Sequence, residues 1–224
     1  MAFYEALRRQ AIANLESDDS TQGTKHLKAL AEITRLRQAC CNPALVNPEL
    51  NISSTKLSTF LEIVAELIEN KHKALVFSQF VTHLTIVRKA LDQLGIKYQY
   101  LDGSCSMNDR EKSVKKFQGG EGDLFLISLK AGGLGLNLTA ADYVIHLDPW
   151  WNPAVEDQAS DRTHRIGQMR PVTIYRLVAK NTIEEKIIHL HNTKRDLADT
   201  LLEGSDKSAK LSMAELVSLI KERD

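Results

Sequence analysis

This sequence is short of several things, and each shortage excludes something. Its 224 residues hold only three cysteines, two of them adjacent at Cys40 and Cys41, and no Cys-x-x-Cys pair. Such spacing makes neither a disulfide framework nor a zinc site. It reads as buried small hydrophobic side chains in a reducing cytosol, and no metal site is expected. No apolar run approaches the length of a membrane span and no signal peptide opens the chain, so no membrane partner is expected. The 29 basic and 29 acidic residues cancel, which neither favours nor excludes nucleic acid, because a local basic stripe disappears in the total. No Ser/His/Asp or Cys/His constellation presents itself, and Cys105 has no histidine with an evident orienting partner. Finally, no Gly-x-x-x-x-Gly-Lys-Ser/Thr loop is present to cradle a triphosphate.

What is present starts with Gln158-Ala-Ser-Asp161-Arg162-Thr-His164-Arg165-Ile-Gly167-Gln168. Arg162 and Arg165 stand three residues apart, one helical turn. Two guanidiniums on one short face repel unless an anion sits between them, and guanidinium matches phosphate oxygens bidentately. His164 has no partner at ligand spacing except Asp161 and Ser160, so a hydrogen-bonding role is expected. His26, His189 and His191 read as surface residues.

Periodicity divides the chain into three parts: 1–52, 53–181 and 182–224. In the first, Phe3, Leu7, Ala11 and Leu15 mark one helix face. A second helix over 26–41 should bury Leu27, Leu30, Ile33 and Leu36 and end before Asn42-Pro43. In the second part, helices expected at 56–70, 82–94, 106–117 and 154–163 alternate with strands at 73–78, 97–101, 124–127, 143–147 and 172–178. That alternation predicts an α/β fold, a parallel sheet with helices on both faces. In the third part, Thr182-Ile-Glu-Glu185 is a capping box that opens a helix to about 202, and a short helix follows from 212.

In such a sheet, ligands gather beyond the carboxyl ends of the strands. There the sequence places Ser78-Gln79-Phe80, Asp102-Gly103-Ser104, Ser128 through Asn137 with Lys130, and Asp148-Pro149-Trp150-Trp151-Asn152-Pro153. Hydroxyls, one lysine and backbone amides suit a phosphate backbone held without base reading. Gly133 and Gly135 superficially match a dinucleotide signature, but Leu138 holds the third glycine position. The acidic partner would have to be Glu156 or Asp157, on a helix and not at a strand end. The prolines around the two tryptophans predict an exposed, rigid loop able to meet a sugar or base.

These segments together resemble the second motor lobe of the Swi/Snf-type ATPases of helicase superfamily two. The resemblance rests on Val76-Phe-Ser-Gln-Phe80, Leu101-Asp-Gly-Ser104, Ser128 to Leu138, Asp148 to Pro153 and Gln158 to Gln168. It reaches upstream to Leu36-Arg-Gln-Ala-Cys-Cys-Asn-Pro43 and downstream to Thr182-Ile-Glu-Glu-Lys186, and the Cys-Cys-Asn-Pro form is similar to bacterial members.

The resemblance implies a RecA-like lobe flanked by N-terminal and C-terminal helices. ATP and Mg2+ would be held mainly by a first RecA-like lobe of the same full-length chain. Arg162 and Arg165 would be arginine fingers on the γ-phosphate, with Gln158 on the same helix. Gly133 and Gly135 would couple nucleotide to DNA. Ser78, Gln79, Gly103, Ser104, Ser128 and Lys130 would grip phosphates, with Arg110 a further phosphate ligand and Trp151 and Asn152 touching the duplex. The partners implied are double-stranded DNA and an unknown DNA-bound protein that the motor remodels. The location implied is intracellular, the bacterial cytoplasm or, in a eukaryote, the nucleus. Lacking the phosphate loop, the chain alone should not hydrolyse ATP. The rival readings are an RNA or single-strand helicase lobe and a non-catalytic DNA-binding or partner-docking module.

Overall fold

A computed structural model describes residues 1–50, 52–132, 138–150, 152–160, 171–200 and 213–221. Two compact units emerge, Ser54–Val178 and a second that gathers Met1–Ser53 with Ala179–Asp224.

The first unit alternates helix and strand. α3 is Thr55–Glu69, β1 Ala74–Ser78, α4 Val81–Gln93 and β2 Tyr98–Leu101. α5 is Met107–Gln118, β3 Leu124–Ser128, α6 Leu129–Gly132, β4 Tyr143–His146, α7 Pro153–Ser160 and β5 Thr173–Arg176. The five strands form one sheet in the order β2-β3-β1-β4-β5, and every pairing is parallel. This is the parallel α/β sheet that the alternation predicts.

The side-chain period of two sorts each central strand onto two cores. Leu75 and Phe77 of β1, with Phe125 and Ile127 of β3, pack with Phe117 of α5, Ala131 of α6 and Ala159 of α7. Ala74 and Val76, with Leu124 and Leu126, face Phe60 and Val64 of α3 and Leu84, Val87 and Leu91 of α4. Both faces are therefore covered, and β1 and β3 are buried along their whole lengths.

Local chemistry sets the element ends. The Ser54 hydroxyl accepts the Leu57 amide at 3.2 Å to start α3. Ser106 does the same for α5, accepting from Asp109 at 3.2 Å and donating its hydroxyl to the Asp109 carboxylate at 2.7 Å. α4 stops at Gly95, whose φ of +68° is the left-handed conformation that a helix terminus asks of glycine.

In the second unit, α1 is Ala2–Glu16, α2 Gln22–Cys41, α8 Ile183–Thr200 and α9 Met213–Lys221. α2 ends where the proline demands, and the Asn42 side chain then caps a 3-10 turn at Pro43–Leu45 by accepting the Ala44 amide at 3.0 Å. The buried face of α1 uses Tyr4, Leu7 and Ala11, not Phe3. Tyr4 is preferred because its hydroxyl can accept the Ile183 amide, 2.8 Å away at the start of α8. Burial, the largest cause, raises the Tyr4 phenol well above its ordinary value. The capping box is a variant: Glu185 reaches back to the Asn181 amide at 2.6 Å, and Thr182 accepts the Glu184 amide at 3.2 Å.

Some expectations are corrected. α2 begins four residues before His26, and Leu27 and Leu30 lie 69% and 37% exposed while Ile33 and Leu36 are buried. The buried stripe instead runs through Ala29, Ile33, Leu36 and Arg37, which leaves Leu27 and Leu30 beside it. His191 is buried, not superficial, and of the free cysteines only Cys41 is buried. Among the described residues no helix is long and apolar enough to cross a membrane.

Candidate functional site

Parallel strands deliver their following loops to one edge of the sheet. β1 and β3 end side by side with Ser78 opposite Ser128, and Leu147 beyond β4 donates its amide to the Phe77 carbonyl at 2.9 Å. The segments at 78–80, 102–104, 128–132 and 148–150 are thereby gathered. Gly133, Gly135, Trp151, Arg162, His164 and Arg165 lie outside the described residues.

The hydroxyls at this edge turn out to be engaged internally. Ser78 is fully buried, and its hydroxyl donates to the Asp148 carboxylate. Asp148, 1% exposed, also accepts the Gln79 amide, at 3.1 and 3.3 Å to its two oxygens. Ser104 donates both its amide, at 2.8 Å, and its hydroxyl, at 2.6 Å, to Asp102. Tyr100 donates to the other Asp102 oxygen at 2.6 Å. The Ser104 hydroxyl is the largest cause, and Tyr100 the next, holding the Asp102 carboxyl down at about 2. Ser128 is buried, and its hydroxyl accepts the Ala131 amide at 3.4 Å, capping α6. That short helix occupies the beginning of the third loop, which has no helix in the sequence reading.

The remaining expected contacts separate into exposed and buried groups. Lys130 and Gly103 are exposed, and Gln79 is half-buried. Arg110 is only 8% exposed, and its Nη1 donates to the Ala131 carbonyl at 3.5 Å. Its Nε is buried and has no hydrogen-bond partner among the described residues. Trp150 is half-buried and packs against the apolar core that includes Phe117 and Ala159, where an exposed ring was expected, while Asn152 of the same loop is exposed. Apolar area won over proline rigidity there.

Helix α7 is anchored along its length. Asn152 is exposed, and its side-chain oxygen accepts the Ala154 amide at 3.1 Å. Asn152 thus caps a helix whose first residue is proline, the pairing favoured at helix starts. Glu156, fully buried, accepts the Trp150 amide at 2.7 Å and the Arg176 Nε at 2.8 Å. Ser160 meets His146 Nε2 at 3.1 Å and donates to the Glu156 carbonyl at 3.0 Å. His146 stacks on Phe77 at 5.5 Å and is held neutral, at about 4, with burial the largest cause. Gln158 remains exposed on this helix, four residues before Arg162.

Sequence reasoning missed Asp102, Asp148 and Glu156 as organisers. For the two aspartates a signal was available: a carboxylate directly after an apolar strand, at an edge read as anion-binding, is best understood as an internal acceptor for loop donors.

Comparison with known proteins bears on this arrangement. The family described as the helicase conserved C-terminal domain matches residues 55–167. The putative ATP-dependent helicase/translocase YwqA of Bacillus subtilis is 38% identical over 97% of this chain and 24% of its own length. The solved C-terminal domain of the Sulfolobus solfataricus SWI2/SNF2 ATPase is 31% identical, with a TM-score of 0.76, over 98% of this chain and 92% of that one. The core of the same ATPase, solved in complex with double-stranded DNA, is 33% identical with a TM-score of 0.79, over 100% of this chain and 47% of that one. The chain spans about a fifth to a quarter of the length of the curated relatives it matches.

Proposed function

We propose a function from the premise that this chain belongs to the Swi/Snf-type helicases as their C-terminal, RecA-like lobe. It is the half of an ATP-dependent double-stranded DNA translocase that senses ATP and grips the DNA backbone, and the motor remodels DNA-bound protein. The observation that carries this is the gathering of four strand-end segments on one sheet edge, with α7 beside them leading into the Arg162 and Arg165 string. The donors this chain would bring to a nucleotide are two guanidiniums and the Gln158 amide. Those groups fit phosphate oxygens, and the first lobe would supply the phosphate loop and the Mg2+ ligands.

The geometry refines which groups would touch DNA. Ser78, Ser104 and Ser128 shape their loops from within, since their hydroxyls are already bound. The outward contacts fall to Lys130, the Gln79 side chain and the Gly103 backbone, joined by Trp151. Arg110 supports the third loop from below, and Gly133 and Gly135 within that loop couple nucleotide to DNA. Asn152 serves first as the cap of α7. The compartment is intracellular, where DNA is found, and the lobe boundaries follow the segments 1–52, 53–181 and 182–224.

The test uses the full-length protein. ATP turnover should rise with duplex DNA more than with single-stranded DNA or RNA; the reverse order would favour an RNA or single-strand helicase. Arg165→Ala should abolish turnover, as loss of a finger worth roughly 10³–10⁵ in rate implies, while leaving duplex affinity in place. A collapse of duplex affinity instead would make Arg165 a track contact. This chain alone should show no turnover.

A further inference from the structure

We infer that Asp148 and Glu156 form a two-carboxylate strap that couples the DNA-facing loop after β1 to the nucleotide-facing helix α7, a positioning role that rests on the function proposed above. Both side chains are buried, 1% and 0% exposed. Asp148 takes the Ser78 hydroxyl and the Gln79 amide from the loop after β1. Two residues later Trp150 gives its amide to Glu156, which also binds Arg176 at the end of β5. Between the two anchor points lies Pro149, whose ring fixes φ, so the link is short and stiff. The far end of α7 is held separately by Ser160 against His146.

The path therefore runs from the β1 loop through Asp148, Pro149 and Trp150 into Glu156, and on to β5. It crosses three adjacent strands, β1, β4 and β5, by charge-assisted hydrogen bonds, the stronger kind. A phosphate arriving at Gln79 would compete for the amide that Asp148 holds and would repel that carboxylate. Either effect loads the segment that Glu156 holds at its other end, and α7 carries Gln158 and precedes the two arginines in the sequence. Stability alone does not call for buried carboxylates here, because an apolar helix face against a core is commonly as stable as a buried ion pair. A hydrogen-bonded anchor fixes the orientation of α7 more narrowly than apolar packing does.

The test measures turnover of the full-length protein with and without saturating duplex DNA. Glu156→Gln and Asp148→Asn preserve shape but lose charge. Each should cut the ratio of DNA-stimulated to DNA-free turnover by about tenfold, within the range of coupling that intermediary residues carry. Because the DNA is saturating, a mere loss of affinity would raise the DNA concentration needed and leave this ratio intact; that result would overturn the strap. Should Glu156→Gln fail to fold, judged by its melting transition, Arg176→Gln tests the same anchor from the half-exposed side. Ser78→Ala combined with Arg176→Gln should be no worse than the more damaging single change, since both cut one path. Additive losses would overturn the proposal. A wild-type protein without DNA-stimulated turnover would refute the proposed function itself. Normal stimulation in the wild type and in all variants would refute only the strap.

Discussion

Acidifying the protein from pH 7 to pH 4 should drain a defined part of its stability through one residue, His146. The ring is 1% exposed, stacked on Phe77, with Nε2 bound to Ser160. Burial, the largest cause, lowers its pKa from 6.5 to about 4; Arg176 acts in the same direction, while Glu156 and Asp157 oppose. The folded form thus holds the ring neutral where the unfolded chain would charge it. As pH falls the unfolded state takes up the proton first, so the contribution is complete above 6.5 and is lost between 6.5 and 4. At about 1.4 kcal/mol per pH unit, that gap amounts to about 3 kcal/mol. The assay is urea unfolding at half-unit steps of pH for the wild type and for His146→Leu. The leucine removes the titration yet leaves Ser160 its bond to the Glu156 carbonyl. Other groups cancel in the difference between the two proteins, which should change by about 1.4 kcal/mol per pH unit below 6.5. Parallel pH profiles would refute the assignment of a buried neutral imidazole.

Three further outcomes are expected. Phe125→Ala, removing a fully buried ring tilted against Phe117 at 5.3 Å, should cost about 3–5 kcal/mol in denaturant unfolding. Ser106→Ala deletes the cap that accepts the Asp109 amide and should cost about 1 kcal/mol, most of it restored by Ser106→Asp. Tyr4→Phe leaves the buried Ile183 amide without its acceptor and should cost about 1–3 kcal/mol; a neutral result would show that another group serves that amide.

The strands were legible because β1, β3 and β4 are apolar runs closed by polar turns, and a parallel sheet buries such runs on both faces. Caps at Ser106 and Asn42 were legible because their mechanism is local. Which residues gather at the site edge was legible too, since every strand end points there. The engagement of those residues was not. Ser78 reads as a free hydroxyl until β1 and β4 are known to be neighbours, which brings Asp148 to it across 70 positions. The same holds for Glu156, whose partners Trp150 and Arg176 come from different segments. Phe3 and Leu27 were misplaced because a stripe at three- or four-residue spacing on a helix cannot say which neighbouring column faces inward. Arg162 and Arg165 stand outside the described residues, so their roles rest on the string that carries them and on the experiments above.

The strand order has one more consequence, for anything long and thin that lies along this edge. Counting across the sheet as β2, β3, β1, β4, such a ligand would meet Gly103, Lys130, Gln79 and Asn152 in that sequence, a permutation of their order in the chain. Neighbouring strands lie about 4.8 Å apart, so the four stations span about 14 Å. If that ligand were one strand of a duplex, as the proposed function has it, the edge would cover only a few nucleotides. Gln79 sits at an interior mark between Lys130 and Asn152. Its substitutions should therefore interact with changes at those two positions, and act independently of changes at Gly103, although Gly103 lies closer to it in the chain than either.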